Sequence, residues 1–172
     1  MIRKLAAVAA VLSPVFLHPA TAIAEPPPAD AVYAIGMCYD TENPLPQRPA
    51  VFDYNCDGTG LLHDMVWSNW DAQGATGTGL DTSVECQPNC AEGATLTNPV
   101  VVHAWNPLPS TSPLCAPYAR FYADMTIAYP EAVPPWIVPG TRWYPGTDFV
   151  LVDGIPAVHF SGLTSSCEDQ LR

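Results

Sequence analysis

The sequence contains few charged residues and almost no basic ones. Charged side chains make up 13% of the 172 residues, about half of the roughly 25% that is usual in soluble globular domains. Six residues are Lys or Arg, against 17 Asp or Glu, and the formal net charge is -11. Lys4 is the only lysine. Because the chain is acidic and lacks the usual phosphate-binding side chains, it is not expected to bind nucleic acid.

The sequence also has little room for long helices. Its 20 Pro and 11 Gly divide the chain into short apolar or alternating runs, which are typical of all-β domains because proline interrupts helices. We predict a small, disulfide-stabilised β-sandwich with long Pro-rich loops. The predicted strands cover residues 31–38, 50–54, 61–70, 72–84, 99–105, 118–129, 149–152 and 157–160. The two long surface loops are expected at residues 106–117 and 130–146.

Three finer predictions concern the strands. Asp153-Gly154, between two β-forming runs, predicts a hairpin turn in which both residues have positive φ. Pro156 lacks an amide hydrogen, so the second strand of this hairpin is expected at a sheet edge. Trp67 and Trp70 lie three residues apart and would face opposite sides of one strand. The small residues of segment 75–79 would let a backbone or a large aromatic ring approach closely.

The first residues have the pattern of a secretory signal peptide. A basic start at Arg3-Lys4 precedes an apolar stretch and a small-residue cleavage motif before Glu25. A membrane anchor is the alternative, but Pro14 and His18 interrupt the run of about 20 apolar residues that a bilayer crossing requires. We expect a secreted protein, released or associated with the cell envelope, with no transmembrane segment after cleavage. The predicted divisions are a signal peptide at 1–24, an extended Pro-rich lead at 25–30 and a single β-rich domain at 31–172.

Six cysteines follow the predicted cleavage site. An even number in an exported chain is typical of a disulfide framework, whose pairing the sequence leaves open. Zinc is the alternative, but the paired C-x2-C spacing of structural zinc sites is absent from the sequence. The cysteines are Cys38, Cys56, Cys86, Cys90, Cys115 and Cys167.

One acidic motif matches the spacing of a calcium-binding loop. Asp53, Asn55 and Asp57 occupy its first three ligand positions, Gly58 follows, and Asp64 stands where a Glu is usual. A plain turn is the alternative that we favour, because Asp-Gly pairs form turns without a metal. The sequence therefore predicts no cofactor, with calcium as the alternative.

A group of four motifs resembles a known set of proteins. The motifs are C-D-G at residues 56–58, W-S-x-W at 67–70, A-x-G-x-G at 75–79 and C-x-P-x-C-A-x-G at 86–93. In this order they resemble small secreted actinobacterial proteins of uncharacterised function. The resemblance implies export and a β fold but no activity. Asp71 stands where the group usually has glycine, and Cys38, Cys115 and Cys167 are additional.

The sequence favours a non-enzymatic binding or interaction module over an enzyme. It contains no G-x-S-x-G nucleophile motif, whereas its five Trp and seven Tyr are suited to stacking on sugars or anchoring a protein. A cell-wall glycan and a protein are the partners that we consider. For the aromatics themselves we favour the interpretation that they fill the core, because large aromatics dominate burial in small domains. The alternative function is an extracellular hydrolase whose His/carboxylate site the sequence does not locate. The candidate binding residues are Trp105, Trp136, Trp143 and Tyr144.

Overall fold

The computed structural model describes residues 28–37, 45–86, 89–110 and 115–163. All regular structure in these ranges is β-strand, so the predicted all-β class is confirmed. This part of the chain contains no helix of the length and apolar character that a bilayer crossing requires. The predicted signal peptide at 1–24 lies outside the described residues. The strands are β1 (Val32–Ile35), β2 (Phe52–Asp53), β3 (Gly60–Asp71), β4 (Gly74–Val84), β5 (Thr95–Pro109), β6 (Ala119–Ala128), β7 (Arg142–Tyr144), β8 (Thr147–Val152) and β9 (Ile155–Ser161).

These strands form one sheet in the order β2-β3-β4-β5-β6-β9-β8-β7. Neighbours in this order are antiparallel, whereas β1 pairs with β6 in parallel. One edge of β6 has two partners, because residues 119–122 pair with β1 and residues 124–128 pair with β9. The sheet curls over its core, and the rings of Tyr54, after β2, and Phe160, in β9, have centroids 5.7 Å apart. The opposing layers of the core therefore belong to one continuous sheet.

The hairpin predicted at Asp153-Gly154 is confirmed. The two residues have φ values of 51° and 83°, and they connect β8 to β9. The prediction that β9 lies at a sheet edge is wrong, because β9 pairs with β6 on one side and β8 on the other. Pro156 is tolerated near the start of the strand, where pairing with β6 begins only at Ala157.

Both segments that were predicted as loops contain strand residues. β5 continues to Pro109, inside the predicted loop 106–117, because its end pairs with the first half of β6. β7 lies inside the predicted loop 130–146 and pairs with β8. Each pairing depends on a neighbouring strand, which local proline content does not reveal. The described end of the lead predicted as extended is a turn, in which the Ala31 N–H donates to the Pro28 carbonyl at 3.0 Å.

A bulge in β3 overturns the prediction for its two tryptophans. The rings of Trp67 and Trp70 meet edge to face, with centroids 4.7 Å apart. The pairing of β3 with β4 shifts between Trp67 and Asn69, and the extra residue reverses the alternation of side chains. The predicted close approach at 75–79 is confirmed, because a Cβ on Gly77 would lie 2.7 Å from the Trp67 ring.

The first half of β6 is buried on both faces. Phe121 and Tyr122 are 1% and 0% exposed and, as consecutive strand residues, point to opposite sides. Phe121 packs with Ala34, Ala119 and Cys115 in a small cluster. Tyr122 belongs to the main core inside the curled sheet. The large side chains of the main core include Phe52, Leu62, Met65, Trp70, Met125, Ile127, Phe149 and Phe160.

The disulfide prediction is supported where the cysteines are described. Cys86 and Cys90 form a bridge across a short loop after β4, with their Cα atoms 3.8 Å apart. Cys56 and Cys115 are also disulfide-bonded, and no cysteine in the described ranges is free. Cys38 and Cys167 lie outside these ranges.

Candidate functional site

A cavity of about 620 Å³ lies where the turn after β2, the end of β4 and the β7–β8 hairpin meet. Cavities that hold small organic ligands commonly measure about 300–1,000 Å³ and are lined by apolar and aromatic side chains. This one has an aromatic wall. The aromatic lining residues are Tyr54, Tyr129, Trp136, Trp143, Tyr144, Phe149 and Phe160.

Three of the four predicted binding aromatics line this cavity. Trp136 lies in the segment before β7, where it packs against the main core. Trp143 and Tyr144 are neighbours in β7, and a register shift against β8 at this point lets consecutive side chains reach the same side. Trp143 is 48% exposed and Tyr144 is 69% exposed. These two rings are therefore accessible to a ligand entering the cavity.

Trp105 lies apart from the other three predicted binding residues. Its ring stacks between the imidazoles of His103 and His159, with centroids 5.1 Å and 5.5 Å away. These residues belong to β5 and β9, and none of them lines the aromatic cavity. Trp105 therefore lies on the face of the sheet opposite to the cavity, and its role in binding stays a sequence prediction.

The wall of the cavity is supported by a buried carboxylate. Asp81 of β4 is 0% exposed, and its two oxygens accept hydrogen bonds from the hydroxyls of Tyr54 and Tyr129, each at 2.8 Å. Burial raises the pKa of Asp81 despite these hydrogen bonds. Burial also raises the pKa of Tyr54 and of Tyr129, with the nearby Asp81 charge acting in the same direction. The two tyrosines thus remain protonated donors.

Two further buried polar side-chain atoms lie near this network. The Ser83 hydroxyl belongs to a lining residue that is 5% exposed. The Asn98 side-chain amide nitrogen is the other, and Asn98 pairs with Asp81 across β4 and β5. Ser83 belongs to the same network, because its side chain acts to lower the pKa of Asp81 against the larger effect of burial.

In the segment that matches a calcium-binding loop, two carboxylates accept hydrogen bonds from the segment itself. Asp53 accepts hydrogen bonds from the N–H groups of Asn55, Cys56 and Gly58 at 2.8–3.0 Å. Asp57 accepts from the Thr59 N–H and hydroxyl. These contacts form the turn that was the alternative interpretation. Within the described ranges no group of three or more His, Cys, Asp or Glu side chains is arranged to hold a metal ion.

The last residue of the calcium motif lies at a strand irregularity. Asp64 has φ +53°, and the pairing of β3 with β4 shifts between His63 and Val66. Its carboxylate is 3.0 Å from His63 Nδ1. Calcium binding by Asp53, Asn55, Asp57 and Asp64 stays a sequence prediction.

A histidine-carboxylate pair lies on the outer face of the sheet. His159 Nε2 is 3.3 Å from the Asp124 carboxylate, which also accepts a hydrogen bond from the Asn106 side chain at 3.1 Å. His159 borders an open groove of about 510 Å³ together with Arg142 and Asp148. This pair has the composition that the hydrolase alternative requires, but no serine or threonine hydroxyl is hydrogen-bonded to His159 in the described contacts. The hydrolase alternative therefore stays a sequence prediction.

The described lining of the aromatic cavity carries negative charge and no positive charge. Asp57 is the one formally charged side chain among its described lining residues. Arg142 is the neighbour of Trp143 in β7, but its guanidinium pairs with Asp148 and borders the other groove. The described lining of the cavity therefore contains no basic group to hold an anion.

Comparisons with protein-family models, with curated proteins and with solved structures find no match to this chain. What the site can do therefore follows from its geometry.

Sequence reasoning missed Tyr54, Asp81, Ser83 and Tyr129. Asp81 and Ser83 occupy the inward positions of β4, with Leu80 and Thr82 on the opposite face. A carboxylate at an inward strand position is a signal, because it requires partners when buried. The two tyrosines that supply those partners lie far apart in the sequence, just after β2 and just after β6, and carry no such local signal.

The raised pKa of Asp81 predicts a pH-dependent stability. The folded protein holds this proton to a higher pH than the unfolded chain, whose Asp pKa is about 3.9. The stabilisation is complete below the unfolded-chain value and is lost as the pH rises through the folded-state pKa. Because Asn cannot ionise, Asp81→Asn should become progressively more stable relative to the native protein as the pH rises from about 4 through the folded-state pKa. Urea unfolding across this range measures the difference.

Asp57→Asn is the matched control for this experiment. Hydrogen bonds from Thr59 lower the pKa of Asp57, so the native carboxylate stabilises the fold above its unfolded-chain pKa and loses this effect as the pH falls. The Asp57→Asn variant should therefore show the opposite trend with pH. A pH-independent difference for Asp81→Asn would contradict the raised pKa.

Proposed function

We propose that this protein is an exported, non-enzymatic binding module whose aromatic cavity holds a small organic ligand or an exposed group of a larger partner. The observation that carries the proposal is the cavity of about 620 Å³ with Trp136, Trp143 and Tyr144 in its wall. Partly exposed Trp and Tyr rings beside a cavity are typical of recognition sites. Export is supported by the signal-like pattern of residues 1–24 and the disulfide-bonded cysteines.

Both partner classes considered from the sequence are compatible with this wall. A neutral cell-wall glycan would stack a sugar ring on Trp143 or Tyr144 and exchange hydrogen bonds with Asn55 or Thr147, which also line the cavity. A protein would insert one apolar or cationic side chain. In either case the ligand contacts the same exposed rings.

Removing either of these rings should weaken binding. Trp143→Ala and Tyr144→Ala should each weaken the binding of any cavity ligand by at least about tenfold, because anchoring aromatics contribute about 1.4 kcal/mol or more. A thermal-shift screen with soluble cell-wall glycan fragments, simple sugars and small organic cations identifies the ligand. Calorimetry on the variants then gives the affinities.

Tyr118→Ala is the control, since Tyr118 is 44% exposed but does not line the cavity. It should bind like the native protein. A ligand whose affinity is unchanged in both cavity variants would place the binding site elsewhere. A screen in which no probe raises the melting temperature would contradict the proposal.

A further inference from the structure

The charge and lining of the cavity restrict the chemistry of its ligand, and this inference rests on the proposed function. Seven aromatic residues line the cavity, and its described lining contains neither Lys, Arg nor His. The negative faces of aromatic rings attract cations, most strongly where water is excluded. A cavity of this composition attracts a positive group and gives an anionic group no partner.

The buried carboxylate strengthens this attraction. Tyr54 and Tyr129 line the cavity, and both donate their hydroxyl hydrogens to Asp81 at 2.8 Å. A phenol that donates to a carboxylate gains electron density, because neighbouring hydrogen bonds polarise one another in a low-dielectric interior. The rings of these two tyrosines are therefore better acceptors for a cation than unsupported tyrosines.

The charge around the cavity acts in the same direction. The exposed carboxylate of Asp57 lies in the lining, where Thr59 holds it through two hydrogen bonds. The whole chain carries a formal net charge of -11, which attracts small cations and repels anions over distances set by the salt concentration. Arg142, the basic residue of β7, is paired with Asp148.

We propose that the cavity binds an alkylated ammonium group, as found in a free, small organic cation of the choline type. A primary ammonium carries three N–H donors, which would each require an acceptor on burial. The polar lining residues Asn55, Asp57 and Thr59 are hydrogen-bonded among themselves. The aromatic wall is therefore the main contact surface, and methyl groups on nitrogen require only apolar contact. A free cation is favoured over a phosphate-bearing lipid headgroup, because the phosphate would approach an acidic protein with no basic side chain in the cavity lining.

Comparing the affinities of choline and its neutral isostere 3,3-dimethylbutan-1-ol measures the contribution of the positive charge at nearly constant shape. Calorimetric titration of the oxidised protein should show that choline binds at least about tenfold more tightly than the isostere. Phosphocholine, which has the same cation joined to a phosphate, should bind more weakly than choline. Phosphatidylcholine vesicles should not retain the protein.

Two variants test the assigned residues, and Tyr118→Ala is their control. Trp143→Ala should weaken choline binding by at least about tenfold, whereas Tyr118→Ala should leave it unchanged. Asp57→Asn should weaken choline binding a few-fold, about as expected for one exposed charge, without affecting the neutral isostere. This selectivity distinguishes an electrostatic role of Asp57 from a structural one.

The outcomes also separate this inference from the proposed function. Equal affinities for choline and the isostere, or binding of neutral glycans alone, would overturn the cation proposal and leave the binding function intact. Preferential binding of phosphocholine or of lipid vesicles would assign the site to a headgroup instead and would overturn the choice of a free cation. A complete absence of binding by cations, the isostere and glycans would overturn both proposals.

Discussion

Tyr122→Ala is expected to lower the free energy of unfolding by about 3–5 kcal/mol, the usual loss for a large buried aromatic. Tyr122 is 0% exposed at the point where β6 pairs with both β1 and β5. Its ring stacks on Tyr33, with centroids 6.1 Å apart, and meets the edge of Trp70 at 5.7 Å. Truncation would leave a cavity bordered by three strands, which a curled sheet cannot close without breaking their pairing.

The hydroxyl of Tyr122 accounts for a smaller part of this effect. It donates a hydrogen bond to the Asp71 carbonyl at 2.8 Å, and Tyr122→Phe should therefore cost about 0.5–1.5 kcal/mol. Urea unfolding followed by tryptophan fluorescence measures both variants. Tyr118→Ala, at a position 44% exposed, should change stability by less than about 0.5 kcal/mol. Equal losses for Tyr122→Phe and Tyr122→Ala would show that the hydrogen bond, rather than packing, is the main contribution.

The features that the sequence predicts well depend on local chemistry. The hairpin at Asp153-Gly154 follows from two adjacent residues that tolerate positive φ. Trp143 and Tyr144 are adjacent in the chain, so any fold places them near each other. The all-β class follows from short alternating runs and frequent prolines in the same way.

The features that the sequence misses depend on pairing between distant segments. Trp67 and Trp70 face the same side only because β3 acquires an extra residue relative to β4. Strict alternation of side chains cannot show this. The end of β5 is a strand because β6 is its neighbour, although its sequence is rich in proline. Trp105 is separated from the other candidate aromatics because β5 places it on the other face of the sheet.

The effect of Asp81→Val on the free energy of unfolding should depend on the two tyrosines that hydrogen-bond to Asp81 beneath the cavity wall. Tyr54 and Tyr129 are 6% and 3% exposed, and both donate to Asp81. Replacing both tyrosines with Phe leaves a buried carboxylate without its two donors, at an expected cost of about 3 kcal/mol or more. Asp81→Val in the native background leaves two buried hydroxyls without an acceptor and should cost about 1–3 kcal/mol.

Combining the three substitutions should reverse the sign of the Asp81→Val effect. In the background with Tyr54→Phe and Tyr129→Phe, Asp81→Val removes the unpartnered carboxylate and should restore at least about 1 kcal/mol, because an apolar set of groups has no unmet hydrogen bonds. Urea unfolding of the native protein, the double-Phe variant, Asp81→Val and the triple variant forms a complete cycle. If Asp81→Val is equally destabilising in both backgrounds, the carboxylate is stabilised by groups other than the two hydroxyls. A reversal of sign would show that the tyrosine hydroxyls are what allows a carboxylate to be buried behind the aromatic wall.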